Sequence, residues 1–217
     1  MSFWLWCISW GWLYAMIVIG LFLTGYLLKN FKQMDNITKW MICAMIVLCF
    51  HVWEEWVLPG GFHWVYNVQH GSPTTLCDRY PMNRLTDMIT NFGGELLGLI
   101  WLLVQKKFNG VTAVAIGIFS IFEFVIHVFI TIKSQALYGG HFYAPGLLTA
   151  TLGFLPVGLA LLFHVIKGKF SLSVWLKGVI LLVVLSIIFV NTPEGLLKNK
   201  NTRLGWTNHG YYEQFIR

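Results

Sequence analysis

The sequence predicts an all-α polytopic membrane bundle of about six transmembrane helices. Three observations carry that expectation. First, 57% of the 217 residues are hydrophobic and only 11% are charged, against roughly 45–50% and 25% in soluble domains. One core cannot hide so much apolar surface and still leave water a wettable exterior. Second, six stretches reach or approach the ~20 apolar residues that a helix needs to cross a bilayer. Third, 15 Lys and Arg outnumber 9 Asp and Glu, and the basic residues gather mostly between the apolar stretches. A soluble globular enzyme, a disordered chain and a disulfide-stapled secreted module are thereby excluded. In a chain so poor in charge, the basic excess points to membrane orientation and not to a nucleic-acid partner.

Span 1 runs from about Phe3 to Leu28 and is Trp-rich at its start. It does not read as a signal peptide: it lacks a basic n-region and a small-residue cleavage site, and it is too long for an h-region. Span 2 runs from about Ile37 to Leu58. Span 3, about Leu85 to Val104, is the least apolar. Span 4 covers about Val111 to Ile132. Span 5, about Tyr143 to Ile166, contains Pro156, which should kink the helix and free a carbonyl for a neighbour to satisfy. Span 6, about Leu172 to Val190, is an almost unbroken apolar run. Lys29, Lys32, Lys39, Lys106, Lys107, Lys167, Lys169 and Lys177 lie on alternate loops, which are expected to be cytoplasmic, with the N-terminus outside. Lys198, Lys200, Arg203 and Arg217 in the tail run against that trend. The expected division is 1–36 for the first helix and its loop, 37–168 for a four-helix core, and 169–217 for the last helix and a polar tail. Cys7, Cys43, Cys49 and Cys77 show no metal-site or redox spacing, and three of them fall inside spans, where a free Cys acts as a small hydrophobe.

Four of the nine carboxylates, Glu54, Glu55, Glu95 and Glu123, fall inside spans, and Asp87 sits at the mouth of span 3. A charge at mid-bilayer costs about 2.5–3.5 kcal/mol on insertion scales, so such residues are functional candidates by default. His51, Glu54 and Glu55 stand at i, i+3 and i+4, on one face of a helix. Asp87, Asn91 and Glu95 form a second stripe, and Glu123 with His127 is an i, i+4 pair. His141 precedes span 5, near Tyr143 and Pro145. At about 1.5 Å per residue, Glu54 and His51 lie roughly 6–10 Å below the outer end of their span. Glu95 lies roughly 15 Å deep and His127 with Glu123 roughly 8–14 Å deep. Up-and-down topology brings them all to one leaflet.

The string His51-Val52-Trp53-Glu54-Glu55, continued through Pro59-Gly60-Gly61-Phe62, resembles the HXXEE-domain membrane proteins. Glu123–His127 resembles that family's histidine-bearing span. Tyr143-Ala144-Pro145-Gly146-Leu147-Leu148-Thr149, with Leu155-Pro156, resembles its Tyr-x-Pro-Gly segment and following Leu-Pro. The likeness covers about His51 to Val165. The resemblance implies a membrane class and a set of site residues, but no reaction. CAAX-protease-like hydrolases look partly similar, yet they carry an arginine where this chain has Pro59 and a Phe where it has Glu123. Membrane hydroxylases and desaturases need more clustered histidines than the seven here.

Histidines with several carboxylates suit Zn, Fe or Mn, in a mononuclear or dinuclear site. His51, Glu54, Glu123, His127 and His141 are the expected metal ligands. Glu55 or Glu95 is the expected general base, with Asn91 and Tyr143 supporting them. A hydrogen-bonded polar network without metal, or a metal-free acid–base pair, would also account for the residues. His63 and His70 are expected in a solvated loop, His164 at an interface and His209 in the polar tail. Gly93-Gly94 reads as a close helix approach beside Glu95. Three functional classes follow. The leading one is a metalloenzyme, hydrolase or oxygenase, acting on a hydrophobic or lipid-like substrate near the outer leaflet. The others are a proton- or cation-coupled transporter and a non-catalytic scaffold. Membrane lipids are the expected surroundings, and a prokaryotic plasma membrane is the location the resemblance implies.

Overall fold

The computed structural model describes residues 2–216. Its architecture is all-helical, with no strand among the described residues, and six helices are long and apolar enough to cross a membrane. We number them with one short loop helix: α1 (Phe3–Asn30), α2 (Asn36–Trp56), α3 (Phe62–Gln69), α4 (Arg84–Gln105), α5 (Gly110–Tyr138), α6 (Leu147–Lys167) and α7 (Leu172–Leu196). Each expected span has its helix. α5 extends past Ile132 to Tyr138 and α7 past Val190 to Leu196. α6 starts at Leu147 instead of Tyr143, because Pro145 and Gly146, whose φ is +94°, hold the chain outside helical geometry.

Local chemistry sets the boundaries. Asp35 caps α2 through the Thr38 N–H, and Asn109 with Thr112 forms a capping box on α5. Asn83 and Thr86 do the same for α4. Connections at one end of the bundle are short, residues 31–35, 106–109 and 168–171. The opposite end carries the long segments 57–83, 139–146 and 197–216. α5 packs along α6 and α7, while α2 packs on α1 and α6. Gly117 and Gly158 let α5 and α6 cross closely, since a Cβ on Gly158 would stand 2.9 Å from the Gly117 carbonyl oxygen. Gly93 likewise meets Phe189 of α7, so the expected close approach exists and its partner is the last helix.

Four of the six long helices contain a π-helical turn. In α6 the wide turn Ala150–Phe154 comes just before Pro156. A proline ring clashes with the carbonyl four residues back, here that of Leu152, and the widened turn makes room for it. The expected kink is thus absorbed as a π-turn. In α7 the π-turn Ile187–Asn191 presents the Phe189 carbonyl, which accepts from Thr90 Oγ1 at 2.6 Å.

The polar tail folds back over the long-loop end. Trp206 and Tyr212 are buried. Tyr211 N–H donates to the Gly60 carbonyl, Arg84 N–H to that of Leu204, and Trp206 N–H to that of Asp78. Tyr212 and Ser134 share a hydrogen bond of 2.8 Å between their hydroxyls. Backbone lies directly on backbone where Gly60-Gly61 meets His209-Gly210, and a Cβ on Gly61 would collide with the His209 carbonyl.

Candidate metal centre

α2 and α5 cross near the long-loop end, and their i, i+4 pairs meet there. His51 Nε2 lies 3.3 Å from Glu55 Oε1, and His127 Nε2 lies 3.3 Å from the same oxygen. Glu123 Oε2 stands 3.7 Å from His127 Nε2. The imidazoles are perpendicular, with centroids 4.7 Å apart. One ligand atom each from His51, Glu123 and His127 lies within 4.8 Å of the others. Neighbouring ligands of a tetrahedral ion with bonds of about 2.0–2.1 Å stand roughly 3.3 Å apart; the 3.7 Å between Glu123 and His127 is near that value, and the set as a whole would draw together from its 4.8 Å span to surround one ion. His51, Glu55 and His127 are buried. Phe154 meets His51 edge-on and Phe62 covers His127, which makes the walls apolar.

Glu54 faces elsewhere. Its Oε1 accepts from Tyr143 Oη at 2.9 Å and Leu148 N–H at 3.0 Å, and its Oε2 from Thr149 N–H at 2.8 Å and Thr149 Oγ1 at 2.6 Å. α6 has no side-chain cap of its own, since Gly146 stands at its N-cap. The carboxylate of α2 therefore serves as that cap, satisfying two orphan N–H groups where the helix dipole favours negative charge. Burial beside the Glu54 carboxylate pushes the Tyr143 phenol above its ordinary range, so Tyr143 stays an intact donor. Gly146 is required here twice over: by its φ of +94°, and because a Cβ would collide with the His127 ring.

The remaining expected site residues lie apart. His141 is exposed in the α5–α6 loop and does not join the cluster. Loops run over the surface, so nearness in sequence to Pro145 did not carry its ring inward. Glu95 is buried, but it makes no hydrogen bond or ion pair with the cluster, and both its oxygens lack a partner. Asn91 Nδ2 donates to the Asp87 carbonyl of its own helix. His63 is not solvated: it is buried, stacks on Trp56 and Trp206, and meets His209 at 3.4 Å. Desolvation, then His209 and Arg84, hold its imidazole well below the ordinary histidine range. Thr149, which the sequence showed only as part of the Tyr143–Thr149 segment, has a place at the site. Its hydroxyl contacts both Glu54 and His51, whose Nδ1 is 2.8 Å away.

The family model described as "Protein of unknown function with HXXEE motif" matches residues 40–161, more than half of the chain. The chain belongs to the HXXEE family. The match holds the motif His51-x-x-Glu54-Glu55, the Glu123–His127 pair and Thr149, so every residue of the cluster lies within it. α1, α7 and the folded tail of this HXXEE protein lie outside it. No curated protein and no solved structure matches the chain.

Proposed function

We propose that this HXXEE protein is a membrane-embedded metalloenzyme that acts on a hydrophobic, lipid-like substrate. One observation carries the reading: two buried imidazoles and the Glu123 carboxylate present donor atoms within 4.8 Å of one another, with Glu55 3.3 Å from both imidazoles. Unpaired, such groups are costly inside a bilayer, and a divalent cation offsets that cost by neutralising the acids in place. His51, His127 and Glu123 are the proposed ligands. Three protein donors leave a coordination position open, the pattern of catalytic sites. Two His and one carboxylate suit Zn, Fe or Mn. Glu55 is the proposed general base, beside the open position. Glu54 is engaged by four donors and Glu95 stands apart, which supports one ion over two. The excess of Lys at the short-loop end supports an orientation with the site towards the outer leaflet.

The test is elemental analysis of the purified protein. The expected result is one equivalent of a transition metal, lost on His51→Ala or His127→Ala, with a chelator lowering the thermal midpoint of the wild type only. Absence of metal from the wild type, with alanine variants indistinguishable from it, overturns the proposal. A second reading draws on Glu95, whose two oxygens are buried without a partner. It is a site for a transported proton or cation. Flux into proteoliposomes that Glu95→Gln abolishes would support it, and equal flux in both proteins would exclude it.

A further inference from the structure

We propose that Thr149 is a positioning residue of the metal centre. Its hydroxyl couples Glu54 to His51 and holds His51 in the tautomer whose Nε2 lone pair faces the other donors. The inference rests on the metal reading above and deepens it. A threonine hydroxyl has one hydrogen to donate and lone pairs to accept with. Thr149 Oγ1 lies 2.6 Å from Glu54 Oε2, 3.3 Å from the Gly146 carbonyl and 2.8 Å from His51 Nδ1. The first two partners are acceptors only, so the single hydrogen goes to one of them. The short contact to a carboxylate is the stronger. Whichever takes it, none is left for His51. The 2.8 Å contact to His51 is then a hydrogen bond in which Nδ1–H donates to Thr149 Oγ1. That leaves Nε2 as the ligand nitrogen, and Nε2 is the atom that faces Glu55.

The arrangement places a carboxylate, a hydroxyl and an imidazole in a row behind the proposed ion. A ligating histidine commonly donates its other N–H to such a partner, which fixes its ring and raises its basicity. It also gives the adjacent glutamates separate tasks: Glu55 faces the ion, and Glu54 steers His51 through another helix. His127 has no matching support, because its Nδ1 is buried without a partner. His51 is therefore the better-held of the two imidazoles.

Zn(II) affinity by chelator competition, measured on the full-length protein in detergent, tests the proposal together with 15N shifts of the histidine rings. The variants are Thr149→Val, which keeps the shape, and Thr149→Ser, which keeps the hydroxyl. Thr149→Val should weaken Zn(II) binding by about 10- to 100-fold. Thr149→Ser should restore it to near wild type, and Zn-loaded wild type should show His51 protonated at Nδ1 and bound through Nε2. Valine and wild-type affinities within twofold, or His51 bound through Nδ1, would overturn the role of Thr149 while leaving the metal intact. A wild type that binds no Zn(II), Fe(II) or Mn(II) overturns the metal reading itself, and the relay with it. If the valine variant does not fold, the wild-type ring shifts still decide the tautomer.

Discussion

The two adjacent glutamates show what a helical spacing does and does not determine. The i, i+3, i+4 pattern of His51, Glu54 and Glu55 correctly put all three on the side of α2 that faces its neighbours. One residue step rotates a side chain by about 100°, enough to send Glu55 to His127 of α5 and Glu54 to the start of α6. Spacing alone could not separate those destinations, because the second partner comes from a distant segment. Thr149 stood in the Tyr143–Thr149 segment without a role for a related reason: a hydroxyl within an apolar helix has no periodic signature. Glu54→Gln tests the cap. The amide keeps one acceptor oxygen and turns an NH2 group towards two donors, so stability should fall by about 2–4 kcal/mol, read as a lower thermal midpoint in detergent. An unchanged midpoint would mean that the four bonds contribute nothing net.

At the scale of the helix, hydrophobic length located all six spans, because burial in lipid leaves little choice of composition. The π-turns were not legible, since they answer to neighbours as much as to the local sequence. The turn Ala150–Phe154 in α6 accommodates Pro156 and so keeps Thr149 on the face that meets α2. A π-turn acts as one residue inserted into an α-helix. Deleting the exposed Leu152 in a Pro156→Ala background should therefore restore a regular helix with both flanking faces in register, and metal content should persist. Deleting Leu159, also exposed but outside the wide turn, should rotate everything before it by about 100° and abolish metal binding. Equal outcomes for the two deletions would refute this account.

For the molecule as a whole, the folded tail is the largest feature the sequence did not disclose. Charges in 198–203 mark it as polar, while the aromatic run Trp206, Tyr211, Tyr212 and Phe215 is the sign of packing. The tail covers the Gly60-Gly61 turn, and the ring beside that turn, Phe62, covers His127. Truncation after Leu197 should leave the six long helices intact and speed extraction of metal by a chelator; unchanged extraction kinetics would exclude a covering role. Acid should loosen the same contact. His63 faces His209 and Arg84 under the tail, and burial followed by those two groups lowers its pKa. The native state then binds fewer protons than the open one. Its docking is fully stabilised above the unfolded histidine pKa of about 6.5 and weakens as pH falls below it. Proteolysis of the tail should accelerate between pH 7 and 5 in the wild type and less so in His63→Gln. Identical pH profiles would remove His63 from the explanation.

The cap that Glu54 places on α6 also has a consequence for biogenesis. Glu54 and Thr149 are 95 residues apart in the chain. At ~5–20 residues per second of synthesis, α2 is complete on the order of ten seconds before its partner emerges. Throughout that interval Glu54 lacks the α6 donors that later satisfy it, while Glu55 has His51 of its own helix, and full immersion in hydrocarbon would carry the insertion cost of an unpaired acid. The place of Glu54 in the last turn of α2 would let the ribosome-bound chain keep it at the headgroup level until α6 arrives. The completed span would then be seated by the arrival of a later helix, after α5 has already brought His127 to Glu55.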